Sequence, residues 1–119
     1  MGGSYRVNRV RELLVREMSD IIRNLKDPRI RFVTVVDAEI TRDLRYAKVF
    51  VSVLGDEGEK EQAMEGLGKA LGYIRRQVGQ RISLRVTPEI KVVYDQTTER
   101  AARLTALIDS LDVDGDGAT

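Results

Sequence analysis

The spacing of the apolar residues changes at Pro28, and this change constrains the fold of the chain more than any other feature. Before the proline, apolar residues recur at steps of three and four, as on the buried face of a helix. They are Val10, Leu13, Leu14, Met18, Ile21, Ile22 and Leu25. Pro28 disfavours helical geometry at Asp27 and has no N–H to donate. The sequence therefore predicts an amphipathic helix from about Ser4 to Lys26.

Beyond the proline, the spacing is that of β-strands. One segment alternates apolar and polar positions, with Phe32, Thr34, Val36, Ala38 and Ile40 on one face. The next places Ala47, Val49, Val51 and Val53 on one face. Two such β-branched segments, joined through residues 42–45, predict a hairpin. A third strand is predicted after Pro88, and a last helix from about Thr97, with Leu104, Leu107, Ile108 and Leu111 as its apolar stripe.

Residues 66–82, GLGKALGYIRRQVGQRI, keep helical spacing although four glycines lie among them. A phosphate-binding loop is excluded, because the Walker pattern fails at Ala63 and Ala70 and the Rossmann pattern fails at Leu71. At 100° per residue, Gly68, Gly72 and Gly79 share one flank of the helix. Each costs about 1 kcal/mol relative to alanine, so we expect either a bend or close packing of another backbone on this bare flank.

The composition argues against enzymatic chemistry. The chain contains no histidine and no cysteine, which excludes disulfides, thiolate metal sites and the commonest general base. Its 119 residues, 42% hydrophobic and 33% charged, predict one globular domain. No apolar run is long enough to span a membrane, and the start lacks the apolar stretch of a signal peptide. We therefore expect a cytoplasmic protein with no cofactor, no metal and no small-molecule substrate.

The net charge of +1 conceals a segregated distribution. Residues 1–53 and 66–94 are basic, whereas residues 54–65 and 95–119 are acidic. In the first helix, Glu12 and Asp20 flank Arg16, as on a salt-bridged solvent face. Basic side chains outside such pairing are better candidates for binding phosphates, and they are Arg29, Arg31, Arg42 and Arg45. With them we rank five further basic residues above the first helix, namely Lys69, Arg75, Arg76, Arg81 and Arg85. The charge pattern alone still favours a solvated helix face over a binding site.

Several motifs together resemble the ribosome-binding factor A family, over about residues 5–111. They are the arginine-rich first helix, KDPRI at 26–30, TRDLRYAKVFVS at 41–52, ALGYIRR at 70–76 and RVTPEIKVVYD at 85–95. The resemblance implies an α+β fold, a single type II KH-like domain in the order α-β-β-α-(kink)-α-β-α. Its three-stranded sheet would have the helices packed on one face. We expect the domain to span residues 1–111, followed by an acidic, unstructured tail at 112–119.

The resemblance also implies a function. The protein would be a monomeric, non-enzymatic RNA-binding factor that binds the immature small (30S) ribosomal subunit and assists late maturation of its 16S rRNA, with a role in growth at low temperature. Ala70, Leu71 and Gly72 match the Ala-x-Gly kink that joins two helices in this family, so a larger residue than Gly72 should not fit. The alternative is a protein-interaction module that docks a partner helix on the glycine flank of residues 66–79.

Overall fold

The structure, a computed structural model, describes residues 2–95, with side chains from Tyr5 onward. The elements are α1 (Gly2–Arg23), a short 3-10 helix (Pro28–Ile30), β1 (Val33–Ile40), β2 (Tyr46–Val53), α2 (Glu57–Arg81) and β3 (Glu89–Tyr94). The helix predicted from Thr97 and the acidic tail lie outside the described residues. No helix in the described part of the chain is long and apolar enough to cross a membrane.

The first helix ends close to where Pro28 predicts. Asp27 has an extended backbone, with φ −105° and ψ 118°, and its carboxylate accepts a hydrogen bond from the Arg29 N–H. Pro28 then starts the 3-10 helix, where its missing N–H costs nothing. The predicted apolar stripe of α1 is buried at Leu14 and Met18, which face the sheet.

The sheet has the strand order β1-β2-β3. The hairpin is confirmed, because β1 and β2 pair antiparallel from Val33 opposite Val53 to Ile40 opposite Ala47. Strand β3 pairs parallel to β2, starting with Glu89 beside Tyr46. Helix α2 makes the crossover between these two strands, and it contributes with α1 to one buried core. The α+β architecture with a three-stranded sheet is therefore confirmed.

A β-bulge in β1 changes which of its residues face the core. The register shifts between Val35 and Asp37, so that β1 supplies one residue more than β2 at this point. A bulge reverses the alternation of the strand. The prediction that Phe32, Thr34 and Val36 share the buried face of Ala38 is therefore wrong, since all three are exposed. Val35, only 8% exposed, takes the inward position instead. The predicted inward face of β2 is confirmed.

Helix α2 is one uninterrupted helix through Ala70 and Gly72, where two helices were predicted to meet. It starts with a capping box, in which the Asp56 carboxylate accepts from the Glu59 N–H and the Glu59 carboxylate accepts from the Asp56 N–H. The expected crowding at Gly72 is also wrong. A Cβ added there would meet nothing closer than a guanidinium nitrogen of Arg76, at 3.9 Å.

Close packing occurs at two other glycines. A Cβ on Gly66 would lie 3.3 Å from the Asp27 carboxylate and from Ile30, because the 3-10 helix packs against α2 here. A Cβ on Gly79 would lie 2.7 Å from the Thr87 hydroxyl. Gly68 meets nothing within 4 Å. The four glycines therefore fall into two groups. Gly66 and Gly79 allow neighbouring segments to pack closely against α2, whereas Gly68 and Gly72 face open space.

Candidate nucleic-acid interface

The predicted RNA-binding residues lie on helix α2 and at both ends of the sheet. Arg29 and Arg31 precede β1, whereas Arg42 and Arg45 lie in the hairpin turn at its other end. The eight residues of β1 separate these ends by roughly 25 Å. Arg85 belongs to the hairpin end, because the loop that contains it leads into β3 and the Glu89 N–H donates to the Arg45 carbonyl. The predicted residues therefore do not form one cluster.

Arg29 is not free, contrary to its selection as an unpaired arginine. Its guanidinium binds the Asp27 carboxylate at 2.7 Å and lies 3.6 Å from that of Glu65 on α2. The hydrogen bonds from the side chain and backbone of Arg29 hold the pKa of the Asp27 carboxyl below its usual value. The hydrogen bond to the Asp27 carboxylate also raises the pKa of the Arg29 guanidinium. Arg29 therefore fastens the 3-10 helix to α2 and is not available to a phosphate without breaking this contact.

Arg81 joins the two helices. It donates to Asp20 at 2.7 Å and to Glu17 at 3.2 Å, both on α1. The hydrogen bond from Arg81 lowers the pKa of the Asp20 carboxyl. Like Arg29, this residue was selected as a phosphate ligand, and the structure assigns it an intramolecular partner instead.

Arg75 is the third predicted residue with intramolecular partners. Its guanidinium donates to the backbone carbonyls of Pro88 and Thr87, at 2.9 and 2.8 Å, and lies 3.5 Å from the Glu89 carboxylate. Arg75 thereby ties α2 to the loop before β3. Arg29, Arg75 and Arg81 each connect separate segments of the fold.

The other predicted residues are exposed and form no ion pair within residues 5–95. They are Arg31, Arg42, Arg45, Lys69, Arg76 and Arg85. Lys69 and Arg76 share the outward face of α2 with Tyr73 and Gln80, because steps of three and four keep side chains on one face. These four residues are here named the α2 ridge. Tyr73 lies between the two cations and is 46% exposed. Its ring is therefore available for stacking with a nucleobase.

One contact was not predicted from the sequence. The guanidinium of Arg31 lies over the ring of Phe32, 5.4 Å from the ring centroid. Strand alternation had assigned Phe32 to the buried face, so its 53% exposure was missed. No sequence signal located this pair, because its exposure depends on the bulge further along β1.

The arrangement suits anion binding. Unpaired cations on the α2 ridge can contact phosphates without first breaking an internal ion pair. Within residues 2–95, no three acidic side chains come together as a metal site would require. The described residues therefore form an α+β domain in which two helices pack on a three-stranded sheet and the crossover helix carries exposed cations.

The chain belongs to the ribosome-binding factor A family, whose model matches residues 6–108. It is 54% identical to ribosome-binding factor A of Halothermothrix orenii over 104 residues, which cover 87% of this chain and 85% of that protein. It is 47% identical to ribosome-binding factor A of Acetivibrio thermocellus over 115 residues, 95% of this chain and 94% of that protein. The resemblance inferred from the motifs is confirmed.

Solved structures of the family share the fold. A solution structure from Thermotoga maritima, described as a putative ribosome binding factor A, superposes with a TM-score of 0.68 at 33% identity, covering 76% of this chain and 87% of that one. The crystal structure of ribosome-binding factor A from Thermus thermophilus superposes with a TM-score of 0.67 at 23% identity, covering 74% of this chain and 94% of that one. A homology model of ribosome binding factor A from Thermus thermophilus, fitted into the cryo-EM map of its 30S complex, superposes with a TM-score of 0.63 at 23% identity, covering 73% of this chain and 92% of that one.

Proposed function

We propose that this protein is a non-enzymatic RNA-binding factor that binds the immature small ribosomal subunit and assists late maturation of its 16S rRNA. Membership of the ribosome-binding factor A family supports this proposal. The Thermus thermophilus relative has been fitted into the map of a complex with the 30S subunit. The protein would act in the cytoplasm as a monomer, and it would matter most during growth at low temperature.

The α2 ridge is the observation that carries the proposal. Lys69 and Arg76 are exposed on the same helix face, and neither forms an ion pair within residues 5–95. The charge of Lys69 acts only at longer range on the Asp27 carboxylate, whose pKa it helps to lower. Cations that are already paired must exchange one anion for another, whereas unpaired cations gain a phosphate contact directly. Arg42, Arg45 and Arg85 would add phosphate contacts at the hairpin end. Recognition would depend on the shape and backbone of the rRNA.

A charge reversal on the α2 ridge tests the proposal. The Lys69→Glu, Arg76→Glu variant should fold normally, since exposed substitutions usually change stability by no more than about 0.5 kcal/mol. It should lose co-sedimentation with small subunits on a sucrose gradient. The matched control is Lys48→Glu, Lys91→Glu, which makes the same change of charge at two exposed positions on the sheet. The control should still travel with the subunits.

Two outcomes would count against the proposal. If the folded ridge variant co-sediments as the parent does, the α2 ridge is not the RNA site. If the parent itself does not travel with small subunits, the proposed function fails. Raised salt should also release the parent, because each neutralised phosphate contributes about −0.7 to −0.9 to the slope of log affinity against log salt concentration.

Docking of a partner helix on residues 66–79 is the second candidate function. The open space around Gly68 and Gly72 favours it, because no atom within the described residues fills the positions where Cβ atoms would lie, apart from the Arg76 guanidinium at 3.9 Å. Such a contact would be apolar and would depend weakly on salt. The salt series on the parent protein therefore distinguishes the two functions.

A further inference from the structure

Two clefts meet at the Arg31–Phe32 pair, at the end of the sheet opposite the hairpin. The larger, with a volume of about 530 Å³, lies between the end of α1 and the start of β1, and Ile22, Leu25 and Ile30 line its apolar part. The smaller, of about 190 Å³, lies between Pro28 and Leu54. Arg31 and Phe32 line both clefts. The pair therefore forms the wall between them.

The backbone around Phe32 is held in place. Ile30, two residues earlier, is 3% exposed and anchors the segment in the core. Arg29 is bound to Asp27, and the Leu54 N–H donates to the Phe32 carbonyl at 3.1 Å. The ring of Phe32 is nevertheless 53% exposed. The ring is therefore available for contact from a backbone that is already fixed, and with Leu54, 74% exposed, it lines the smaller cleft.

The charge of the larger cleft defines the class of ligand. Arg23 and Arg31 line it, and no carboxylate does so within the described residues. Arg31 makes no ion pair there, and Arg23 has only a 3.5 Å contact with Asp20 while its side chain is 71% exposed. The exposed aromatic ring and the arginine over it can stack with a flat aromatic group. The cleft without acids can accept an anion attached to that group.

We propose that this cleft binds an unpaired nucleobase of RNA, which stacks on Phe32 while its phosphates contact Arg31 and Arg23. The proposal rests on the proposed function, since it adds single-strand recognition to phosphate binding by the α2 ridge. Splayed bases of single-stranded RNA are commonly recognised by stacking on aromatic rings and guanidinium planes. The charged rim favours this ligand over an apolar segment of a protein partner.

A fluorescence experiment tests the stacking directly. The chain contains no tryptophan, so Phe32→Trp introduces a single reporter that retains a stacking surface. A single-stranded oligouridylate should quench its emission, whereas a blunt RNA duplex of equal length should not. The control is Leu54→Trp, because Leu54 is 74% exposed on the neighbouring segment and lines only the smaller cleft. Its emission should change little.

Affinity gives a second measurement. Phe32→Ala should weaken binding of the single-stranded oligonucleotide on the order of tenfold, the effect of removing one stacked aromatic side chain, with the salt dependence unchanged. Leu54→Ala should bind as the parent does. Equal quenching at both tryptophan positions, or unchanged affinity of Phe32→Ala, would overturn the proposal.

Failure of this inference is distinguishable from failure of the proposed function. If the parent co-sediments with small subunits but its Phe32→Ala variant binds oligonucleotide normally, only the base-binding cleft is refuted. If Phe32→Ala loses co-sedimentation while oligonucleotide binding is unchanged, the surface contacts a protein, and the proposal is also overturned. If the parent does not co-sediment at all, the proposed function itself fails.

Discussion

Replacement of the exposed glycines of α2 by alanine should stabilise the protein. Gly68 and Gly72 lie inside a continuous helix, and each costs about 1 kcal/mol relative to alanine there. An added Cβ meets no atom within 4 Å at Gly68 and only the Arg76 side chain, at 3.9 Å, at Gly72. No steric cost offsets the gain in helix propensity. We therefore expect Gly68→Ala and Gly72→Ala each to raise the free energy of unfolding by about 1 kcal/mol.

Urea denaturation followed by circular dichroism measures this change, and a melting curve should show an increase of roughly 4 °C for each substitution. Gly66→Ala is the matched control in the same helix. Its Cβ would lie 3.3 Å from the Asp27 carboxylate and Ile30, and Ile30 is buried and cannot move away cheaply. Overpacking of this kind costs about 1–3 kcal/mol, so Gly66→Ala should be neutral or destabilising.

Destabilisation by Gly72→Ala would refute the continuous helix. If two helices met at Gly72, the new methyl group would enter a crowded corner, and the free energy of unfolding would fall instead of rising. The sign of the change at Gly72, compared with that at Gly68, therefore distinguishes the structure described above from the kink expected from the motif.

Three further predictions follow from the sheet and the 3-10 helix. Val35→Ala should lower the free energy of unfolding by about 2 kcal/mol in denaturation experiments, whereas Val36→Ala should change it by less than about 0.5 kcal/mol, because only Val35 faces the core; equal effects would contradict the bulge. Since Arg29 lowers the pKa of Asp27, the carboxylate stabilises the fold fully above its ordinary pKa, and this contribution is lost as the pH falls through the lowered value. Asp27→Asn should therefore lose less stability than the parent between neutral pH and about pH 3, and an identical loss would show that the pair contributes nothing. Leu44 has a φ of +61°, so Leu44→Gly should raise the free energy of unfolding by about 1 kcal/mol in the same assay by relieving backbone strain; an unchanged or lower value would contradict this turn conformation.

Periodicity predicted most of the elements but not the bulge in β1. Local features were predicted correctly: the apolar stripe of α1, the end of that helix before Pro28 and the inward face of β2. Each depends only on the spacing of apolar residues or on the backbone preference of one residue. A bulge depends on how one strand pairs with its neighbour. The sequence around Val36 contains no residue pattern that indicates a bulge. For the same reason, the exposure of Phe32 was not predicted.

The candidate site was predicted only in part. Lys69 and Arg76 are exposed as the helical wheel indicates, because exposure on a single helix follows from spacing alone. Arg29 and Arg81 were selected as phosphate ligands, yet both have intramolecular partners. The Arg29–Asp27 pair is local in sequence, but it depends on the backbone turn that starts the 3-10 helix. The Arg81–Asp20 pair joins two helices that are distant in sequence, and counting along one helix cannot find it.

The parallel pairing of β2 with β3 has a consequence for the order of folding. The β1–β2 hairpin closes through a short turn, whereas Tyr46 meets Glu89 only after the whole of α2 has been placed between them. Closing this long loop costs chain entropy before any contact compensates for it. During synthesis, α1 and the hairpin emerge before β3, and one edge of β2 stays without its β3 hydrogen-bonding neighbour until that strand arrives. The nascent chain therefore passes through a stage in which its central strand is open to pairing with another chain.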